Sequence, residues 1–372
     1  MTLQTAFDGN RDRPDCLVVV FLRGAADGLE LVPPTGDDDY YRARPTLGIR
    51  RSDALPLDGL FGLNPILEDL APAFADGELA IVHAAGSEDS TRSHFDAQDL
   101  MEHGGLVAGG WLGRFLRYRP QPASGALSAI AVGKALPECL RGAPSATVMQ
   151  TLEDFTLGSE AEILLPELAR LYASEHGELG RAARDTLQAM SRIEALRTET
   201  YTPGGGAEYP RGEFGEGLLQ IARLIKARVG LEAVSIDLGG WDSHLAQETL
   251  LEPLMRRLAR GLAAFRRDLG PMMATTTVVV MTEFGRRVQE NASLGTDHGR
   301  GSVMFVLGGG VAGGRVVGTW PGLEDASLEG PGDLPVAHNY RNVLAPILKR
   351  HGAGNDLSQI FPDYPLAPMA LY

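Results

Sequence analysis

The chain has 372 residues, 44% of them hydrophobic and 22% charged, with 34 basic against 48 acidic side chains and a formal net charge of −14. That composition is globular, and the length suffices for a continuous core in one elaborated α/β domain. The acidity argues against nonspecific nucleic-acid binding and against an acidic membrane surface, because both are held mainly by clustered cations.

The first sixteen residues, ending at Cys16, carry three acidic side chains and no apolar stretch like that of a secretory signal, so a cytoplasmic chain is expected. The longest apolar run, Leu17–Leu22, is six residues long where a membrane helix needs about twenty, and it reads as a buried strand. In chain order, a helix is then predicted over Asn64–Phe74, a strand over Leu79–Ala84, helices over His94–Glu102 and Trp111–Tyr118, and a strand over Leu127–Val132. Helices over Glu160–Ala173 and Leu179–Thr198 precede the turn-rich loop Thr202–Pro210, so residues 155–212 read as a helical insertion with a Gly-rich linker. A helix over Gly215–Val229, a strand over Ala233–Asp237 and a helix over Ser243–Leu269 follow, the last stopped by Gly270-Pro271. Strands over Thr275–Thr282 and Ser302–Leu307, a Pro/Gly-rich excursion over Gly313–Pro335 and a helix over Asn339–Lys349 complete the chain. Short apolar strands alternating with amphipathic helices predict an α/β fold: a doubly wound, mostly parallel sheet with helices on both faces. Cys16 and Cys139 read as buried thiols, without disulfide or zinc-site spacing.

In open α/β sheets ligands sit beyond the carboxyl ends of the strands, so the residues that follow each strand matter most. The first strand leads to Arg23 and Asp27, the second to Ser90-Thr91-Arg92-Ser93-His94, and the middle strand ends at Asp237 and runs into Trp241-Asp242-Ser243-His244. Thr275–Thr282 ends at Glu283-Phe284-Gly285-Arg286-Arg287, and Asp297-His298-Gly299-Arg300 stands directly before the last strand. Carboxylates and imidazoles gathered in one cleft suit a divalent cation, with zinc, manganese, magnesium and calcium all open. The candidate ligands are Asp27, Asp237, Asp242, Glu283, Asp297 and His298, with His244 a further candidate. Asp242 and Asp27 also have ordinary readings as a helix cap and a turn residue. Ser93, Ser90 and Thr91 stand before a helix, where the macrodipole and free N–H groups favour an alkoxide and an anionic group, and where an N-cap serine is also common. Arg23, Arg92, Arg286, Arg287 and Arg300 fall in the same loops and suit an anionic ester, although the chain has 31 Arg against 3 Lys and some of this placement is chance. Gly308-Gly309-Gly310 is no dinucleotide fingerprint, since no helix follows at the required spacing.

The segments LRGAADGL, RSHFDAQD, DLGGWDSH, TEFGRR and TDHGRG, spread over nearly the whole chain, resemble a bacterial sulfatase-like family of unknown function, usually exported with a twin-arginine leader, within the alkaline-phosphatase superfamily. The resemblance implies a metal site at the carboxyl edge of the sheet, with Asp27, Asp237, Glu283 and His298 at metal positions and Ser93 at the nucleophile position. Phe284 and Trp241 stand where the superfamily has histidines, so two imidazoles are missing from the pattern; His244, and Asp297 or His94, are the available substitutes. Neither cysteine lies in a Cys-x-Pro-x-Arg context, which excludes formylglycine chemistry. The expected activity is metal-dependent hydrolysis of a small anionic phosphate or sulfate ester, with Ser93 attacking, His244 or His94 carrying the proton, and Arg23 and Arg286 among the residues that hold the anion. The alternative is a degenerate superfamily descendant, with an altered or absent metal site, that binds an anionic ligand or does non-hydrolytic chemistry.

Overall fold

Side chains of the first strand, β1 (Cys16–Arg23), alternate between two cores, and this period of two dictates the layering. Val18, Val20 and Leu22 point into one hydrophobic cluster, Leu17, Val19 and Phe21 into another, so the strand is buried on both faces. The structure, a computed structural model, describes residues 16–120, 125–154, 161–198 and 200–372. The segment on which the leader expectation rests, residues 1–15, lies outside that set, as do residues 155–160, the start of the predicted insertion with the Glu160 start of its first helix.

The strands are β1, β2 (Leu55–Pro56), β3 (Gly62–Leu63), β4 (Leu79–Gly86), β5 (Ala129–Val132), β6 (Thr147–Met149), β7 (Ala233–Gly239), β8 (Thr276–Thr282), β9 (Ser302–Gly308), β10 (Arg315–Val317) and β11 (His338–Asn339). Nine of them form one sheet in the order β10-β4-β9-β8-β1-β7-β5-β6, with β11 also on β4; β2 and β3 make a separate hairpin. Every pair in the large sheet is parallel except those of β9, which runs antiparallel to both β4 and β8. The helices are α1 (Gly28–Leu31), α2 (Asp38–Ala43), α3 (Ala71–Ala75), α4 (His94–His103), α5 (Trp111–Tyr118), α6 (Ala161–Ala173), α7 (Glu178–Thr198), α8 (Glu213–Lys226), α9 (Gln247–Leu269) and α10 (Tyr340–Arg350).

Leu218 and Ile221 of α8, with Leu258 and Leu262 of α9, cover one face of the sheet. Trp111 and Phe115 of α5, with Leu344 and Ile347 of α10, cover the other. This is the doubly wound arrangement that the alternation of strand and helix predicts. Helices α6 and α7 pack on one another, and α7 adds Ile193 to the first core.

Three departures from the predicted elements have local causes. The helix expected over Asn64–Phe74 is a 3-10 turn, Pro65–Leu70, followed by the short α3, because Pro72, inside the expected helix, removes a helical N–H donor and crowds the preceding turn. The helix expected from Ser243 starts at Gln247, which leaves His244 in a loop. The helix expected from Asn339 starts at Tyr340, because Asn339 caps it and pairs, with His338, on β4. Among the described residues, no helix is long and apolar enough to cross a membrane.

Candidate metal centre

Because β9 runs against its neighbours, its first residues lie at the edge where the parallel strands end, and the Thr296–Gly301 loop joins theirs. Two glycines let these loops meet backbone to backbone. Gly24 has φ +117°, and a Cβ there would lie 2.4 Å from the Asp242 nitrogen; one on Gly285 would lie 2.0 Å from the Gly301 oxygen. The N-terminus of α4 brings His94 to the same edge, with Ser93 as its N-cap and Gly104 closing the helix in the left-handed conformation.

His94, Asp242, His244 and His298 converge there. His298 Nε2 lies 3.0 Å from His94 Nε2, 3.0 Å from His244 Nε2 and 3.1 Å from Asp242 Oδ1. Asp242 Oδ1 is 3.0 Å from His244 Nε2, and its Oδ2 is 3.4 Å from His94 Nε2. Ligands on a tetrahedral ion with metal–nitrogen bonds of about 2.0–2.1 Å stand about 3.3 Å apart, so the spacings among His94, His298 and Asp242 fit one divalent cation, with His244 beside them on the Asp242 and His298 side.

Proton placement makes the same point. His94 Nδ1 faces Glu283 Oε1 at 2.8 Å and His298 Nδ1 faces the Arg92 carbonyl oxygen at 3.0 Å; both oxygens only accept, so each Nδ1 carries the proton and each neutral ring keeps a bare Nε2. His244 repeats the pattern more loosely, its Nδ1 lying 3.5 Å from Asp297 Oδ1. Bare nitrogens 3.0 Å apart repel unless a cation sits between them. Carboxylate–imidazole pairs of this kind orient the histidines of metal sites. The hydrogen bond to Glu283 raises the His94 pKa, whereas burial lowers that of His298. Burial alone would raise the Asp242 carboxyl, but the hydrogen bond from Arg286 and the Arg286 charge outweigh it and hold the group well below the usual carboxylate range.

Glu283 stands behind this cluster rather than in it. Besides His94, its carboxylate accepts from Gly24 N (2.9 Å), Gln98 Nε2 (2.9 Å) and the Thr282 hydroxyl (2.9 Å). Burial pushes its pKa up, but the donors from His94 and Gln98 outweigh that and leave it ionised. Phe284 stacks on the His94 ring with centroids 5.0 Å apart and so fixes the imidazole it stands beside.

The structure does not bring Asp27 or Asp237 into the cluster. Asp27 is buried, accepts from Arg44 at 2.7 and 3.1 Å and from Gln247 at 2.7 Å, and caps α1 through Leu29 N. Asp237 pairs with Arg23 at 3.1 Å, and Arg23 in turn reaches Glu102 at 2.8 Å and stacks on Phe21. Arg286 is buried with every N–H engaged, by the Ala25, Gly24, Trp241, Ser243 and Thr296 carbonyls and by Asp242, and has none free for an anion. Arg92, Arg287 and Arg300 pair with Asp333, Asp297 and Glu329. Ser93 Oγ accepts one long bond, 3.4 Å, from Asp96 N; Thr91 Oγ1 accepts from Ser93 N, and Ser90 is exposed.

Beneath Asp27 lies Glu30, 3% exposed, 3.4 Å from Gln247 Nε2. Burial, then the neighbouring Asp27 charge, push its pKa from 4.5 up to about 7. The unfolded chain releases this proton first, so the folded state binds more protons between these values and loses stability as pH rises from 4.5 to about 7. Glu30→Gln is expected to remove roughly 3 kcal/mol of that fall, read from urea unfolding at both ends of the window. An unchanged pH profile would count against it.

Arg44, Gln247, Gln98 and Glu102 do not emerge from the strand-end reading. Gln98 and Glu102 follow His94 at four and eight residues, one face of a helix, so spacing alone could have singled them out. Arg44 and Gln247 carry no such signal.

The chain can be superposed on the C-terminal periplasmic domain of EcEptC from Escherichia coli in complex with Zn, at 10% identity over 96% of this chain and 89% of that one, TM-score 0.39. BT1596, a 2-O GAG sulfatase, aligns at 12% identity over 93% and 72% of the two chains, TM-score 0.37. Alkaline phosphatase from the Antarctic bacterium TAB5 aligns at 9% identity over 80% and 91%, TM-score 0.27. No curated protein matches. The family described as "Protein of unknown function (DUF1501)" matches residues 15–362, from the first strand to beyond the last helix, and the chain belongs to that family.

Proposed function

We propose that this protein is a metal-dependent hydrolase of small anionic esters, phosphate or sulfate, built around a single divalent ion. The observation that carries the reading is the meeting of the His94 and His298 Nε2 atoms and the Asp242 carboxylate at 3.0–3.4 Å, with Nδ1 of both histidines already bonded to acceptors. His94, His298 and Asp242 would hold the ion, a set that favours zinc or manganese over the harder magnesium and calcium. A bound ion there supplies Lewis-acid polarisation of an ester oxygen.

The chain's own residues divide the other tasks. His244, 43% exposed at its side chain and backed by Asp297, is the proton carrier, since it faces both solvent and the cluster. Ser93 is the nucleophile: its hydroxyl accepts only one long bond, and it opens α4, whose free N–H groups favour negative charge. Glu283 and Phe284 hold the His94 ring in place.

A second reading, binding of an anion at the metal without hydrolysis, draws on the arginines: all five in these loops already have acidic or carbonyl partners, which leaves none of the five to stabilise the charge of a transition state. Protein purified without chelators is expected to contain about one equivalent of divalent metal and to hydrolyse an aryl phosphate or an aryl sulfate. Metal and anion binding without turnover selects the second reading; no metal after supply of zinc or manganese sinks the first.

A further inference from the structure

Two chain segments form one lip of the metal centre: residues 243–247, which carry His244 and lead into α9, and residues 291–295, which lead to Asp297 and His298. Ala246 N donates to Ser293 O at 3.0 Å, Gln247 N to Leu294 O at 2.8 Å, and Asn291 Nδ2 to His244 O at 3.0 Å, so the segments lie edge to edge. Each presents a leucine to solvent. Leu245 is 58% exposed and Leu294 49%, and Leu250 in the first turn of α9 is 49%. Past His298, Phe95 follows His94 and is 83% exposed. Single exposed apolar residues are ordinary, but several bordering one polar centre mark a binding surface.

The backbone of Leu294 is the second sign. Its φ is +57°, the left-handed region in which glycine and asparagine are at ease and leucine is strained, and Ala246 across the two hydrogen bonds is at +42°. A half-exposed leucine there gains only part of what burial would give and costs the fold some stability. Such strain gathers where a side chain serves a ligand.

We infer that this apolar lip seats the organic part of the substrate, so that the ester cleaved is that of a bulky apolar alcohol rather than of a sugar or other hydrated polyol. The inference rests on the anionic-ester reading of the centre given above. The anionic group meets the metal centre, and the alkyl or aryl group lies over Leu245 and Leu294.

The test is calorimetric titration of the metal-bearing protein with methylphosphonate and butylphosphonate, neither of which can be hydrolysed at an ester bond. Affinity is expected to rise about three- to fourfold per methylene taken up, so butylphosphonate binds at least about tenfold more tightly. Leu294→Asn and Leu245→Ser are each expected to lower the butyl-to-methyl ratio severalfold. Leu294→Asn also relieves the strain and is expected to raise the melting temperature by about 1–2 °C. Equal binding of the two phosphonates by the parent, or a ratio unchanged in both variants, overturns the lip while leaving the centre intact. Failure of both phosphonates to bind overturns the anionic-ester reading, and the lip with it.

Discussion

His298→Ala is expected to lose its bound metal and its ester hydrolysis together, while folding normally. His298 Nε2 is the common vertex of the cluster, within 3.0–3.1 Å of donor atoms on His94, His244 and Asp242. Dividing the roughly 10–16 kcal/mol of a four-ligand zinc site equally gives about 2.5–4 kcal/mol per ligand, roughly seventyfold to several hundredfold in affinity. The side chain is only 19% exposed, yet it packs on the His94, His244 and Phe284 rings rather than in either large apolar core, so its removal costs little packing. Glu283→Gln acts one bond further out: it weakens the hold on His94 Nδ1 but leaves every donor nitrogen in place, and its cost is about 10–100-fold. Metal content after desalting, read beside circular dichroism and kcat/KM, ranks the two variants. A His298→Ala protein that keeps a full equivalent of metal would remove the centre from this position.

The layering was legible because it depends on local period: β1 alternates between two cores, and the apolar faces of α8 and α9 repeat at helical spacing. The edge of the sheet was legible for the same reason, since each apolar run ends where its polar residues begin. What each polar residue does there was not. Asp27 and Asp242 stand at equivalent strand ends, yet one is taken by Arg44, held seventeen residues away by the turn through α2, and the other is left half exposed among imidazoles. No local pattern distinguishes them, because the choice of partner is settled by contacts between segments far apart in the chain. The two histidines that the resemblance leads one to expect at Trp241 and Phe284 are a case of the same kind. His94 and His244 reach the centre from a helix start and from a loop, and the loop exists because α9 begins four residues later than its apolar spacing suggests. The antiparallel course of β9 was also out of reach, although it puts His298 at the edge.

Arg286→Met is expected to destabilise the fold by about 4–6 kcal/mol. The side chain is 1% exposed, and its guanidinium donates to the Gly24 and Ala25 carbonyls after β1, the Trp241 and Ser243 carbonyls and the Asp242 carboxylate after β7, and the Thr296 carbonyl before β9. It thus ties together the loops that carry the metal centre. Methionine keeps most of the volume but leaves these acceptors without donors, and each buried unsatisfied group costs about 1–3 kcal/mol, reduced where the loops relax or admit water. Against a total stability of about 5–15 kcal/mol that is a large share. Arg286→Lys restores a charge but offers three donors from one atom where the guanidinium spreads five over a plane, so it recovers only part of the loss. Urea unfolding measures the stability, and the KM for an aryl phosphate measures the alternative role. A side chain that clamps substrate would, on replacement by methionine, raise KM and leave the unfolding midpoint where it was. A lowered midpoint with loss of metal is the result this hydrogen-bond pattern predicts, and an unchanged midpoint with a raised KM alone would return Arg286 to anion binding.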